Sequence, residues 1–269
     1  MKRRRQIGHS TLQILLLLYL SGAIQTVSAQ QTPTPTLDDI LLRLQRNLDR
    51  YDKEVPDFFC AEHTTSSLTY ARKQQRTVTD SVFRITHAPS GSFTEEHEVQ
   101  AINGTDAKGQ NVNGPVTLSG VFFSGLDAVS LSQKACMNYT LVPITAGHAN
   151  DPYVIRFDAM PNARRQSECL LKEEGSGRVF VDPATMQVTR MELTSPHHRI
   201  NAGELGVWSI SIDYAPVSLV GRTFWMPTTI TSTATPTEAY TPTVYSFSAR
   251  YSDYHKLGVT SRILPLSNR

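Results

Sequence analysis

Apolar and polar residues follow two rhythms along this chain, and the change between them falls near residue 58. Leu37, Ile40, Leu41, Leu44, Leu48 and Tyr51 recur at steps of three and four. That spacing predicts an amphipathic helix capped by Thr36 with Asp39 three residues on, stopping before Pro56. Its polar face mixes acid and base, which suits packing on a core better than lying on a membrane.

From Phe58 onward the period is two. Tyr153, Ile155, Phe157 and Ala159 alternate with polar residues, as do Trp208 to Tyr214 and Tyr245 to Tyr251. These read as half-buried strands with one wet face. Weaker strand signals at 58–70, 76–87, 93–102, 136–144, 167–173 and 223–232 are separated by turns such as Asn103-Gly104 and Ala88 to Gly91. Ten or eleven strands with few helices between them predict an antiparallel meander.

The stretch GRVFVDPATMQVTRMEL, residues 177–193, reads as a hairpin about Asp182-Pro183. A turn centred on Pro183 and Ala184 places Val181 opposite Met186 and Val179 opposite Val188, with all four side chains on one face. One segment breaks the strand pattern. Residues 116–134 carry Phe122, Phe123, Leu126, Val129 and Leu131 at helical spacing, interrupted by Ser and Gly, and read as short helical pieces in a crossing connection. Residues 234–243 read as an exposed Thr-Pro loop.

The fold class expected is therefore mainly β with a few helices: a large curved antiparallel sheet or half-barrel, covered by the N-terminal helix and a short helical insertion. A helix of about 18 residues is roughly 27 Å long, whereas ten strands span about 45 Å. So slender a cover leaves room for an apolar groove, unless the sheet curls and aromatics such as Trp208 and Phe247 fill it.

The first 29 residues change the setting. Lys2 to Arg5, an apolar run from Ile14 to Leu20 and Val27-Ser28-Ala29 form a secretory signal too short to be a spanning helix. A Pro/Thr-rich leader, 30–36, follows, then one domain over 37–269. Losing four basic residues with the signal turns the formal +2 into a mature charge of about −2, with no basic footprint for nucleic acid. The destination is the periplasm or the exterior, where one disulfide is expected among Cys60, Cys136 and Cys169, with the pairing open.

Catalytic motifs are missing. No G-x-S-x-G elbow occurs, and His97 lacks the second His of a zinc-protease helix. His197-His198 beside Pro196 reads as a solvated turn, and Glu95-Glu96 and Glu173-Glu174 as surface charge. No catalytic residue, metal site or cofactor is assigned.

The succession of hairpins in 177–193, in ISIDYAPVSLVGRTFWMPTTI (210–230) and in YSFSARYSDYHKLGV (245–259) resembles the periplasmic lipoprotein-carrier fold of LolA and LolB type. The resemblance implies an open half-barrel over helices with a cavity for acyl chains. This chain differs in its 103–118 insertion, its three Cys and its Thr-Pro loop. On that reading Phe122, Phe123, Trp208, Ile210, Ile212 and Phe247 line a cavity that binds a lipid, an acyl chain or a lipoprotein. The competing expectation is an envelope interaction module with a filled core and a protein partner.

Overall fold

The computed structural model describes residues 35–258 apart from 89–92, 112–113, 144–150, 162, 164–165 and 202–203. The export signal, residues 30–34 of the leader, the turn residues 89–91 and the end of the expected 136–144 strand lie outside the described residues.

Helix α1 is Leu37–Glu54. The Thr36 hydroxyl accepts from the Asp39 amide at 3.2 Å, and the Asp39 carboxylate accepts from the Thr36 amide at 3.1 Å. This capping box satisfies two amides that the first helical turn leaves open. Val55 is extended, as a residue before proline prefers. Ile40, Leu41, Leu44 and Tyr51 are buried, so the predicted stripe is the packed one.

Among the described residues eleven strands form one antiparallel sheet: β1 Phe58–Tyr70, β2 Lys73–His87, β3 Phe93–Ile102, β4 Thr105–Asp106, β5 Met137–Leu141, β6 Tyr153–Ala159, β7 Ser176–Val181, β8 Val188–Asn201, β9 Glu204–Leu219, β10 Arg222–Pro236 and β11 Thr243–Lys256. Their order is β4-β3-β2-β1-β11-β10-β9-β8-β7-β6-β5. The sheet is open, with β4 and β5 at its edges. It is two meanders rather than one, since β1 pairs with β11 along almost its whole length, Thr64 opposite Ala249. Asn103-Gly104 and Val220-Gly221 both have positive φ at two successive residues, which type I′ hairpin turns require.

Residues 167–173 form turns and not the strand their apolar content suggested. Cys169 lies there, bonded to Cys136 ahead of β5, while Gln133 donates to the Glu168 carbonyl and accepts from the Leu170 amide. These ties hold the segment against the connection before β5 in place of a ladder. Cys60 is the free, buried thiol, and burial raises its pKa.

The 177–193 hairpin departs from its expected register. Val181 faces Val188 because the chain turns over Pro183 to Met186, with Met186 at φ 53°, and a bulge that leaves Thr189 extra then sets Val179 opposite Met191. The Asp182 carboxylate organises the turn by accepting from the Ala184 and Thr185 amides and the Thr185 hydroxyl. Val179, Val181, Met186 and Val188 are all buried nonetheless. Asp182→Ala is expected to destabilise the protein by about 0.5–2 kcal/mol, the range for losing such a cap; urea unfolding measures it, and an unchanged midpoint would disprove the role.

Between β4 and β5, helix α2, Val121–Asp127, and a 3-10 turn, Leu131–Ala135, cross the inner face of the sheet. Gly120 starts α2 at φ 73°, a conformation that suits glycine. At Gly125 the helix presses on β9 so closely that a Cβ would meet Ile212 Cδ1 at 2.6 Å.

Candidate functional site

The inner face of the sheet divides into two halves. Under α1 and α2 it is apolar and packed. The Phe122 ring lies 5.0 Å from those of Phe83 and Tyr251 and 5.9 Å from Phe58, and Phe123 stacks on Phe93 at 4.0 Å. Between α1 and the sheet, beside Tyr51 and Trp225, a void of only about 20 Å³ remains.

Toward the β8–β9 and β10–β11 turns the inner residues become polar and aromatic, and neither helix reaches them. Here a cavity of about 260 Å³ is walled by His198, Ile200, Trp208, Ser232 and Tyr245 and roofed by Pro115 to Leu118. The Trp208 indole N–H donates to Ser232 Oγ at 2.7 Å. The His198 ring stacks on the indole, centroids 4.7 Å apart, and its Nδ1 pairs with a Glu173 carboxylate oxygen at 2.7 Å. Ser66 ties the roof to β1: its Oγ accepts from the Val116 amide at 2.7 Å and donates to the Val116 carbonyl at 2.8 Å, while Val116 and Leu118 pack against the core. Beside Trp208 in the ladder, Ser195 Oγ is buried without a partner.

His197-His198 is part of β8 and not a solvated turn. From Ser195 to His198 on β8 three steps oppose the two from Trp208 to Gly206 on β9, a bulge at Pro196, which has no amide to give the ladder. The bulge shifts the alternation by one residue. His198 and Ile200 therefore line the cavity, while His197 is exposed and pairs with Glu174 at 3.3 Å. Glu173 and Glu174, expected as free surface charge, are the partners of this His pair.

Of the six residues expected as lining, Trp208 borders the 260 Å³ cavity. Phe122 and Phe123 sit on α2 in the packed half. Ile212 is fully buried beneath Gly125, Ile210 is buried opposite Leu193 and Ser232, and Phe247 is buried opposite Ser66 and Ser232. The polar members, Ser66, His198 and Ser232, carry no local signal of their role, since Ser66 and Ser232 stand in Ser/Thr-rich runs and His198 follows Pro196 beside a second His.

A second polar group lies inside the sheet where sequence reasoning saw none. Glu62 points inward from β1 with its side chain 2% exposed; His97 Nδ1 on β3 lies 2.8 Å from it, and the Tyr251 hydroxyl donates to it. Burial would lower the His97 pKa, but the Glu62 hydrogen bond and the charges of Glu62 and Glu95 prevail and raise it. Burial and the neighbouring Glu62 charge raise the Tyr251 pKa. Among the described residues no three His, Cys, Asp or Glu side chains converge as metal ligands, and no described helix is long and apolar enough to cross a membrane.

No family model matches the chain. No curated protein matches it. Among solved structures it is similar to a putative outer membrane lipoprotein-sorting protein domain from Vibrio parahaemolyticus, at 14% identity and a TM-score of 0.37 over 80% of this chain and 90% of that one. A LolA superfamily protein from Nitrosomonas europaea gives 12% identity and a TM-score of 0.35 over 82% and 94%. A DUF1329 family protein from Desulfovibrio piger gives 11% and 0.39 over 81% and 94%. At such identities and scores, what this chain binds has to follow from its own side chains.

Proposed function

We propose that the protein is an exported, non-catalytic binding protein, a carrier or sensor that holds a lipid or acyl chain in the Trp208 cavity. The observation that carries this reading is an inner-face cavity walled by a stacked Trp208–His198 pair, Ile200 and Tyr245 under a roof that Ser66 ties to β1. The indole nitrogen is already satisfied by Ser232, so the aromatic wall offers its ring surface. An apolar chain gains about 0.8 kcal/mol for each methylene it buries there. Ligand pockets usually measure about 300–1,000 Å³, so a 260 Å³ cavity takes a segment of a chain while the rest projects through its mouth.

Trp208 reports its own occupancy. With Trp225, the other indole in the chain, replaced by Phe, titration with a soluble fatty acid is expected to change Trp208 emission saturably, and Trp208→Ala is expected to weaken uptake of a fluorescent analogue. An emission spectrum that never moves, together with native mass spectrometry showing no co-purified lipid, would overturn the reading. The packed half of the inner face favours a second one, an envelope interaction module with a protein partner. A stoichiometric envelope protein in a pull-down and a cavity that takes no acyl probe would establish that alternative.

A further inference from the structure

The turns nearest Ile200, Ala234 and Tyr245 of the cavity wall gather at one end of the sheet. Tyr70 ends β1 opposite Thr243, and the Ala71 amide donates to the Pro242 carbonyl, which joins the β1–β2 turn to the β10–β11 loop. The Thr237 amide donates to the Leu205 carbonyl, which joins that loop to the start of β9. This end carries Tyr70, Leu205, Val207 and Tyr240, four of the seven large apolar residues that are exposed among the described residues, and Tyr240 is fully exposed. Ala234 and Tyr245, which line the cavity, are paired in the ladder only a few residues below.

Basic charge concentrates on the β1–β2 side of this end. The β1–β2 turn and the start of β2 present Arg72, Lys73 and Arg76, all exposed, with no acidic residue between Tyr70 and Thr79. Arg199 on β8 is also exposed; the acidic side chains of this end are Glu204 at the start of β9, Glu238 in the β10–β11 loop, and Glu173 and Glu174, which face His198 and His197. Tyrosine combines a ring with a wet hydroxyl and suits the headgroup layer, and basic side chains beside it draw it to anionic lipid.

We propose that this turn end is a docking surface for an anionic lipid bilayer, with Tyr70 and Tyr240 entering the headgroup layer and Arg72 and Lys73 facing lipid phosphates. The proposal rests on the lipid-binding reading for its purpose, because a chain segment held in the cavity would pass to or from the bilayer at the mouth. Its geometry rests on the exposed residues alone.

The test is flotation of the mature chain with vesicles of phosphatidylcholine alone or mixed with phosphatidylglycerol. Wild type is expected to float with the mixed vesicles at low salt and to be released as salt screens the charges. Arg72→Ser with Lys73→Ser should weaken binding to mixed vesicles roughly tenfold or more. Tyr70→Ser with Tyr240→Ser should weaken it while leaving uptake of a soluble fluorescent fatty acid, measured without vesicles, unchanged. If wild type fails to float, or if both variants float like wild type, the proposal is overturned, even where acyl uptake is intact. If the protein floats through these residues but takes up no fatty acid, docking stands and the cavity reading falls.

Discussion

Phe122→Ala is expected to cost about 3–5 kcal/mol of unfolding free energy, the range for truncating a buried aromatic in a core that cannot collapse onto the gap. Phe122 is 2% exposed and meets Phe58, Phe83, Phe123 and Tyr251, rings drawn from β1, β2, α2 and β11. Those partners sit on separate elements of the frame, so no single one can swing in to fill the space. Phe123→Ala should cost less, since Phe123 is only partly buried. Urea unfolding of the two variants checks the order; equal losses, or a loss below about 1 kcal/mol for Phe122, would show that α2 is a loose cover and not a core element.

The same variant separates the two halves of the inner face. If acyl chains occupy the Trp208 cavity, emptying the Phe122 site leaves their affinity unchanged in buffers where the variant stays folded. A large gain in uptake would instead locate the binding volume under α2, where Phe122, Ile212 and Tyr251 now fill it.

The helix and most strands were legible because one-sided burial imposes a period, and the capping residues mark where α1 starts. What could not be read is whatever breaks or spans that period. The β1–β11 ladder joins Thr64 to Ala249, and nothing local in either strand names its partner. Pro196 beside two His reads as a turn, but the strand continues through a bulge there that reverses which His faces inward, and His198 walls the cavity. Met186 takes a left-handed φ that composition gives no reason to expect, and it moved the hairpin register. Trp208 and Phe247, expected as cavity lining, face inward as alternation requires, but period two cannot tell a packed interior from an open one. That distinction depends on where α2 lands, and Gly120 and Gly125 set it through one backbone angle and one close approach.

Glu62 and His97 are expected to make stability depend on pH in a direction their burial alone would not give. The folded His97 pKa is raised above its ordinary value, against burial, by Glu62 and Glu95. Protonated His97 therefore adds stability that is fully present below the unfolded value of about 6.5 and is lost as pH rises through the folded pKa. His97→Gln should remove that dependence and leave the Glu62 carboxylate buried with the Tyr251 hydroxyl. Removing one member of a buried pair costs about 3–5 kcal/mol, and with the His97 side chain 26% exposed about 1–3 kcal/mol is expected here. Adding Glu62→Gln to His97→Gln should recover much of the loss, because the uncompensated charge is gone, and the double-mutant cycle measures the coupling. Urea unfolding between about pH 5 and 9 brackets the His97 transition. If wild type and His97→Gln run parallel across that range, the pair does not carry the charge its geometry implies.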